Sequence, residues 1–145
     1  DYEGARKHFM QTYVLQPKYP NLDRSLGMTM FNLKRWKDAV QILTKVYERT
    51  RDIHIYYFIG RSLMELGESN RAANIFQTIV TNVPTHAQAA YDLATLLDRV
   101  GQGANAIAYY KAFLQIVEKS KRKDLDRAVR TARMRLDALQ KGGGK

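Results

Sequence analysis

Small and bulky residues recur along this chain with a period near 34. Alanines stand at Ala5, Ala39, Ala72 and Ala106, at intervals of 34, 33 and 34. Bulky residues keep the same phase at Phe9, Leu43, Phe76 and Tyr110, and smaller ones precede them at Gly27, Gly60 and Ala94. Pro17 and Pro84 share that phase. A repeat of this length, with small, large and helix-ending positions at fixed offsets, marks stacked helical hairpins. One hairpin cannot bury its own apolar face, so neighbours must stack. The small residues are expected where two helix backbones approach, with Gly27, Gly60 and Ala94 facing Ala39, Ala72 and Ala106.

The pattern predicts helices over about 1–16, 21–34, 36–50, 53–66, 69–82, 86–100, 103–119 and 124–141. Pro17 and Pro20 stop the first, and Gly67 suits a left-handed turn after the fourth. Thr85 with Gln88 three residues on reads as a capping box. Asp124 and Asp126 favour the start of the last helix. That helix carries one apolar stripe, Leu125, Val129, Ala132, Leu136 and Leu139, and reads as the cap over the exposed end of the stack.

The residues at these offsets resemble the tetratricopeptide repeat. One unit has Leu26, Gly27, Met30, Ala39, Leu43 and Val46. The next has Tyr56, Ile59, Gly60, Leu63, Gly67, Ala72, Phe76, Ile79 and Pro84. The third has Leu93, Ala94, Leu97, Gly101, Ala106, Tyr110 and Phe113. Ala5, Phe9, Thr12 and Pro17 are similar to the second helix of an earlier repeat. Asp23 and Ala90 depart from the family's usual aromatic, Arg51 and Glu118 from its proline, and Lys34 from its inter-helix glycine. The resemblance implies an all-α, right-handed superhelical solenoid of antiparallel helix pairs. It is expected to form one domain over 1–141, with a half repeat 1–19, repeats 20–52, 53–86 and 87–120, a capping helix 124–141 and a disordered tail 142–145. Since the chain opens within a repeat, it is expected to be a fragment of something longer.

Composition narrows this reading. No run approaches the ~18 uncharged apolar residues that span a bilayer. There are no cysteines, which excludes disulfides and thiolate metal sites. The net charge of +10 is uneven: residues 119–145 hold ten Lys/Arg against three Asp, and the first 118 hold fourteen against eleven acids. His8, His54 and His86 lie far apart in sequence without ligand spacing. Phosphate loops, nucleophile elbows and paired carboxylates are absent, so no enzyme and no cofactor are expected.

In the family that this chain resembles, the first helices of the repeats line a concave groove. Next to the core stripe here lie Arg24, Met28 and Phe31, then Tyr57, Phe58, Arg61 and Met64, then Tyr91, Thr95, Asp98 and Arg99. Clustered aromatics beyond what the core needs often mark interaction sites, and Tyr, Met and Arg are enriched at interfaces. The expected function is a scaffold or adaptor holding a partner's peptide or helix against this stripe. Arg24, Arg61 and Arg99 would suit acidic character in the partner. The same residues, read blandly, are packing aromatics and solvated arginines. Chaperone-binding members clamp a C-terminal carboxylate with Lys, Asn and Arg. The matching positions here are Arg24, Met28, Phe58, Gln88 and Asp92, which disfavours that ligand.

Two alternatives stand beside the groove. Lys121, Arg122, Lys123, Arg127, Arg130 and Arg133 form a basic patch suited to an acidic partner, and less so to nucleic acid or a membrane surface, since the segment lacks stacking aromatics. Self-association through Phe9 and Tyr13 is the other, because no preceding helix covers them in this sequence.

Overall fold

The structure, a computed structural model, describes residues 2–15 and 21–142, with Tyr2, Phe9, Met10 and residues 12–15 described as backbone. Eight α-helices and no strand occur among the described residues. They are α1 (Tyr2–Leu15), α2 (Leu22–Asn32), α3 (Trp36–Thr50), α4 (Ile53–Glu65), α5 (Ser69–Asn82), α6 (Ala87–Arg99), α7 (Gly103–Ser120) and α8 (Asp126–Gly142). The fold is all-α, as the periodicity implied. The packing expected of Phe9 and Thr12, the helix stops at Pro17 and Pro20, and the tail beyond Gly142 lie outside what is described. The helices form two compact units, Asp1–Glu68 and Ser69–Lys145.

In the first unit α3 packs against both α2 and α4. Its core is built from Leu26 and Met30 of α2, Ala39, Ile42, Leu43 and Val46 of α3, and Ile55, Ile59 and Leu63 of α4, all buried. Their i, i+3, i+4 spacing places each set on one helix face. The close approach of α2 and α3 is at Gly27. A Cβ built there would lie 2.5 Å from Leu43 Cδ2, 2.8 Å from its Cγ and 3.3 Å from Ile42 Cγ2. The glycine therefore makes room for Leu43, one helical turn beyond Ala39. α1 is tied to α3 by Arg6, which donates to both carboxylate oxygens of Asp38 at 3.0 Å. Ala5 of α1 is exposed, since the side of α1 that carries it is left uncovered in this unit.

In the second unit α6 packs against α5 and α7, and α7 against α8. One cluster joins Ala87, Ala90 and Ala94 of α6, Ala106, Tyr110, Phe113 and Val117 of α7, and Ala132 of α8. Ala94 and Ala106 are both wholly buried in it. Val129, Leu136 and Leu139 pack on the same cluster, so the apolar stripe of α8 covers α7, as a terminal helix must.

The turns that end α2, α4 and α6 are alike. Lys34, Gly67 and Gly101 all have positive φ, at 59°, 78° and 81°. Each donates its N–H to the carbonyl three residues back: Phe31, Met64 and Asp98. The next residue in each donates to the carbonyl five back: Met30, Leu63 and Leu97. These paired bonds define a Schellman end. Lys34 adopts the left-handed conformation that glycine supplies in the other two turns, so the departure from the usual glycine leaves the turn unchanged. Arg51 and Lys121, at φ 54° and 52°, end α3 and α7 with one bond each, to Tyr47 and Val117. A left-handed turn thus stands at Arg51, where the repeat usually has proline, whereas Glu118 lies within α7, which runs on to Ser120. α6 begins differently from the expected capping box: His86, not Thr85, is the N-cap, and its Nδ1 accepts from Ala89 N–H at 3.1 Å.

Two stability outcomes follow from these positions. Gly27→Ala should overpack against Leu43 and cost about 1–3 kcal/mol, outweighing the ~0.5–1 kcal/mol that alanine contributes within a helix. Lys34→Gly relieves a left-handed residue costing roughly 1–2 kcal/mol against a glycine entropy cost of about 0.5–1 kcal/mol. It should therefore leave the chain as stable or slightly more so. Urea midpoints of both variants against the parent measure the two signs.

Candidate functional site

In the first unit, helical spacing places Phe31 on α2 and Phe58 on α4 within contact. Their rings meet edge to face, with centroids 4.8 Å apart. Trp36 approaches Phe31 at 5.3 Å, and His54 and Tyr57 approach Phe58 at 5.0 and 5.6 Å. Phe31, Trp36, Tyr57 and Phe58 are partly buried and His54 is exposed. Edge-to-face geometry sets the positive ring edge against the negative face of its neighbour, so the cluster is preorganised. Met28 and Met64 are also partly buried. The structure thus brings Phe31, Tyr57 and Phe58 of the expected stripe together and adds Trp36 and His54, which the stripe did not include.

Five arginines of this unit, Arg6, Arg24, Arg35, Arg49 and Arg61, are paired with carboxylates. Arg24 donates to Asp52 Oδ2 at 2.9 Å. Asp52 also caps α4, accepting from His54 N–H at 2.9 Å. Partial burial would raise its carboxyl pKa, but these hydrogen bonds hold it below the usual carboxylate range. Arg61 lies 3.7 Å from Glu65 along the same helix. Asp23, in the position where an aromatic is usual, is 1% exposed. It receives Arg49 Nη1 and Nη2 at 2.8 and 3.1 Å, and its own helix through Arg24 N–H at 2.8 Å. Such bidentate pairing is what makes a buried carboxylate tolerable.

The second unit holds the remaining stripe residues. Tyr91 is partly buried, 5.1 Å from Phe113 and 6.3 Å from Tyr110 by ring centroids. The Thr95 hydroxyl donates to the Tyr91 carbonyl at 3.0 Å, and Arg99 is exposed. Together with Asp98, Tyr110, Thr131 and Arg135, these three residues line a cavity of about 370 Å³. Arg135 reaches from α8 and donates through Nε and Nη2 to Asp98 at 2.7 and 2.9 Å. The Tyr110 hydroxyl donates to the same carboxylate at 3.1 Å. Arg135 thereby holds the Asp98 carboxyl below its usual range, and burial pushes the Tyr110 phenol up to about 12. This network was not legible in the sequence, because no spacing rule links residues 98, 110 and 135. A second cavity, about 560 Å³, lies between Pro84, Thr85 and the outer side of α7 at Ala112, Ile116 and Lys119; it too had no sequence signal.

Within each unit, positions matching a carboxylate clamp are taken up by local contacts. Phe58 is in the aromatic cluster, Gln88 accepts from Arg122 at 3.3 Å and Asp92 is buried. Of the basic patch, Lys121, Lys123, Arg127, Arg130 and Arg133 are exposed. Arg122 is partly buried and paired with Asp124 at 2.6 Å. Among the described residues no group of three or more His, Asp or Glu is placed to hold a metal ion. No described helix is long and apolar enough to cross a membrane.

Helix pairs closed by identical turns define the class as a helical-hairpin repeat protein. Residues 59–121 match the family model of the tetratricopeptide repeat, and the chain has the tetratricopeptide-repeat fold. Solved structures agree. The TPR2B domain of yeast Sti1 in complex with pHsp70 superposes with a TM-score of 0.72 at 18% identity, over 85% of this chain and 97% of that one. The Yersinia enterocolitica type III secretion chaperone SycD, in complex with a peptide of the translocator YopD, gives 0.76 at 12%, over 82% and 90%. MamA from MSR-1 gives 0.71 at 20%, over 77% and 65%. The chain thus spans slightly less than two thirds of that MamA chain. No curated protein matches by sequence.

The Asp98–Tyr110–Arg135 network sets a pH dependence. A depressed Asp98 pKa contributes stability above its ordinary 3.8 that is lost as pH falls. A raised Tyr110 pKa contributes stability that is fully present below 10 and lost as pH climbs from 10 towards about 12. Thermal melts across alkaline pH, with tyrosinate absorbance followed in parallel, should show this loss in the parent and less of it in Tyr110→Phe.

Proposed function

We propose that this chain is a non-enzymatic interaction scaffold whose first-helix faces bind a segment of a partner protein. The observation that carries this reading is the aromatic cluster of Phe31, Trp36, Tyr57 and Phe58, held in fixed geometry across α2 and α4 yet only partly buried. Preorganised aromatics lose little conformational freedom when an apolar side chain docks on them. Met28 and Met64 supply deformable apolar surface of the same kind. In the second unit Tyr91, Thr95 and Arg99 border the 370 Å³ cavity, which offers the phenol and hydroxyl types of donor and an exposed cation.

The fold supports the reading at the level of class: the Sti1 and SycD structures of the same fold are complexes with pHsp70 and with a YopD peptide. The partner's chemistry is argued from this chain alone. Arg24 and Arg61 lie beside Asp52 and Glu65, so the face of the first unit is apolar and aromatic rather than anion-selecting. Acidic character in the partner is favoured only at Arg99.

The test is selection of peptides from a displayed random library on the full chain, followed by affinity measurement with variants. Alanine at both Tyr57 and Phe58 should weaken selected peptides about tenfold or more, the loss typical of an aromatic anchor. The helical circular dichroism should remain intact. Unchanged affinity in a folded variant would move the binding face elsewhere.

A further inference from the structure

We propose that the outward ridge of α8 is a second docking surface, for an acidic amphipathic helix of a partner protein. This is independent of the first-helix faces.

The inner side of α8 is used: Val129, Ala132, Leu136 and Leu139 pack on the α7 cluster. The opposite side carries Arg127, Arg130, Arg133 and Met134, all exposed. The arginines stand three residues apart, about 4.5 Å along the axis. Three nearby acids are engaged elsewhere: Asp98 holds Arg135, Asp124 holds Arg122 at 2.6 Å, and Asp137 holds Lys141 at 2.9 Å, which leaves Asp126 as the acid beside the three arginines. Arg127, Arg130 and Arg133 take part in none of the ion pairs found. Like charges three residues apart repel along a helix.

The residue types also point to a protein. Arginine forks bind carboxylates bidentately and are enriched at interfaces, whereas a merely solvated ridge is served equally by lysine. Met134 sits on the same ridge, between Arg127 and Arg130 in helical projection, and is 72% exposed. A thioether there gains nothing from a phosphodiester but packs against an aliphatic side chain. A partner helix with Glu or Asp at i, i+3 or i+4 beside leucines complements both features. Lys121 and Lys123, exposed just before α8, extend the field that would attract it.

The experiment uses the full chain and three probes: a synthetic Glu/Leu amphipathic helix, a DNA duplex, and vesicles containing phosphatidylserine. The triple variant Arg127→Gln, Arg130→Gln, Arg133→Gln should weaken the peptide about tenfold or more at physiological salt. A control, Lys7→Gln, Lys37→Gln, Lys111→Gln, removes equal charge and should cost no more than about threefold. Met134→Gln should weaken the peptide but leave any duplex or vesicle binding unchanged. Circular dichroism checks that each variant folds, and single Arg→Gln variants replace the triple if it does not. Equal loss in the triple and control variants would overturn the proposal, as would absent peptide binding. So would tighter binding of duplex or vesicles with no effect of Met134→Gln.

Discussion

The first unit is organised around one close approach, where α2 passes α3 at Gly27. With 2.5 Å between a would-be Cβ and Leu43, the two backbones can be this near only because one side chain is missing. That proximity lets Leu43 be wholly buried and lets Ile42 and Val46 reach the same core. On its other side α3 packs against α4. The aromatic face follows from this geometry, since Phe31 and Phe58 come from helices that do not neighbour each other in sequence. α3 lies between them in the chain and is packed against both. Where dense packing leaves no slack, a methyl group is felt across the whole arrangement.

The turn chemistry has the same logic. Three Schellman ends close α2, α4 and α6 in the same way, and what they require is a left-handed φ rather than a particular residue. Lysine meets the requirement at a steric cost that packing on both sides offsets. The second unit solves a different problem, the exposed flank of its last hairpin. α8 covers that flank with an apolar stripe and sends Arg135 across to Asp98. The same helix therefore closes the core and shapes the polar cavity beside Tyr91. The helix that closes the core on its inner side thereby leaves its charge concentrated on its outer side.

The fold was legible because repeats write the same packing several times. A small residue, a bulky residue and a turn at fixed offsets agree across copies, so Ala39, Ala72 and Ala106 read correctly as buried from spacing alone. Ala5 shows the limit of that reasoning: it keeps the phase but is exposed, because burial depends on a neighbouring helix and not on the residue. The candidate faces were legible in part. Tyr57, Phe58 and Phe31 stood out as aromatics beyond the needs of a core stripe. Trp36 did not, since its contact with Phe31 is decided by side-chain direction across a turn, whereas His54 stands one helical turn before Phe58, a contact that i,i+4 spacing allows. Nor did the pairing of Arg24 with Asp52, 28 residues away.

By itself the order of residues determined the helical class, the hairpin repeat and the segregation of positive charge towards the last helix, all of them periodic or cumulative properties. Tertiary structure alone decided which cations are neutralised, which aromatics share a face and which residues border a cavity. Those outcomes depend on distances of a few ångströms between groups far apart in the chain. Electrostatic and dispersion energies change steeply over such distances, and no periodicity encodes them.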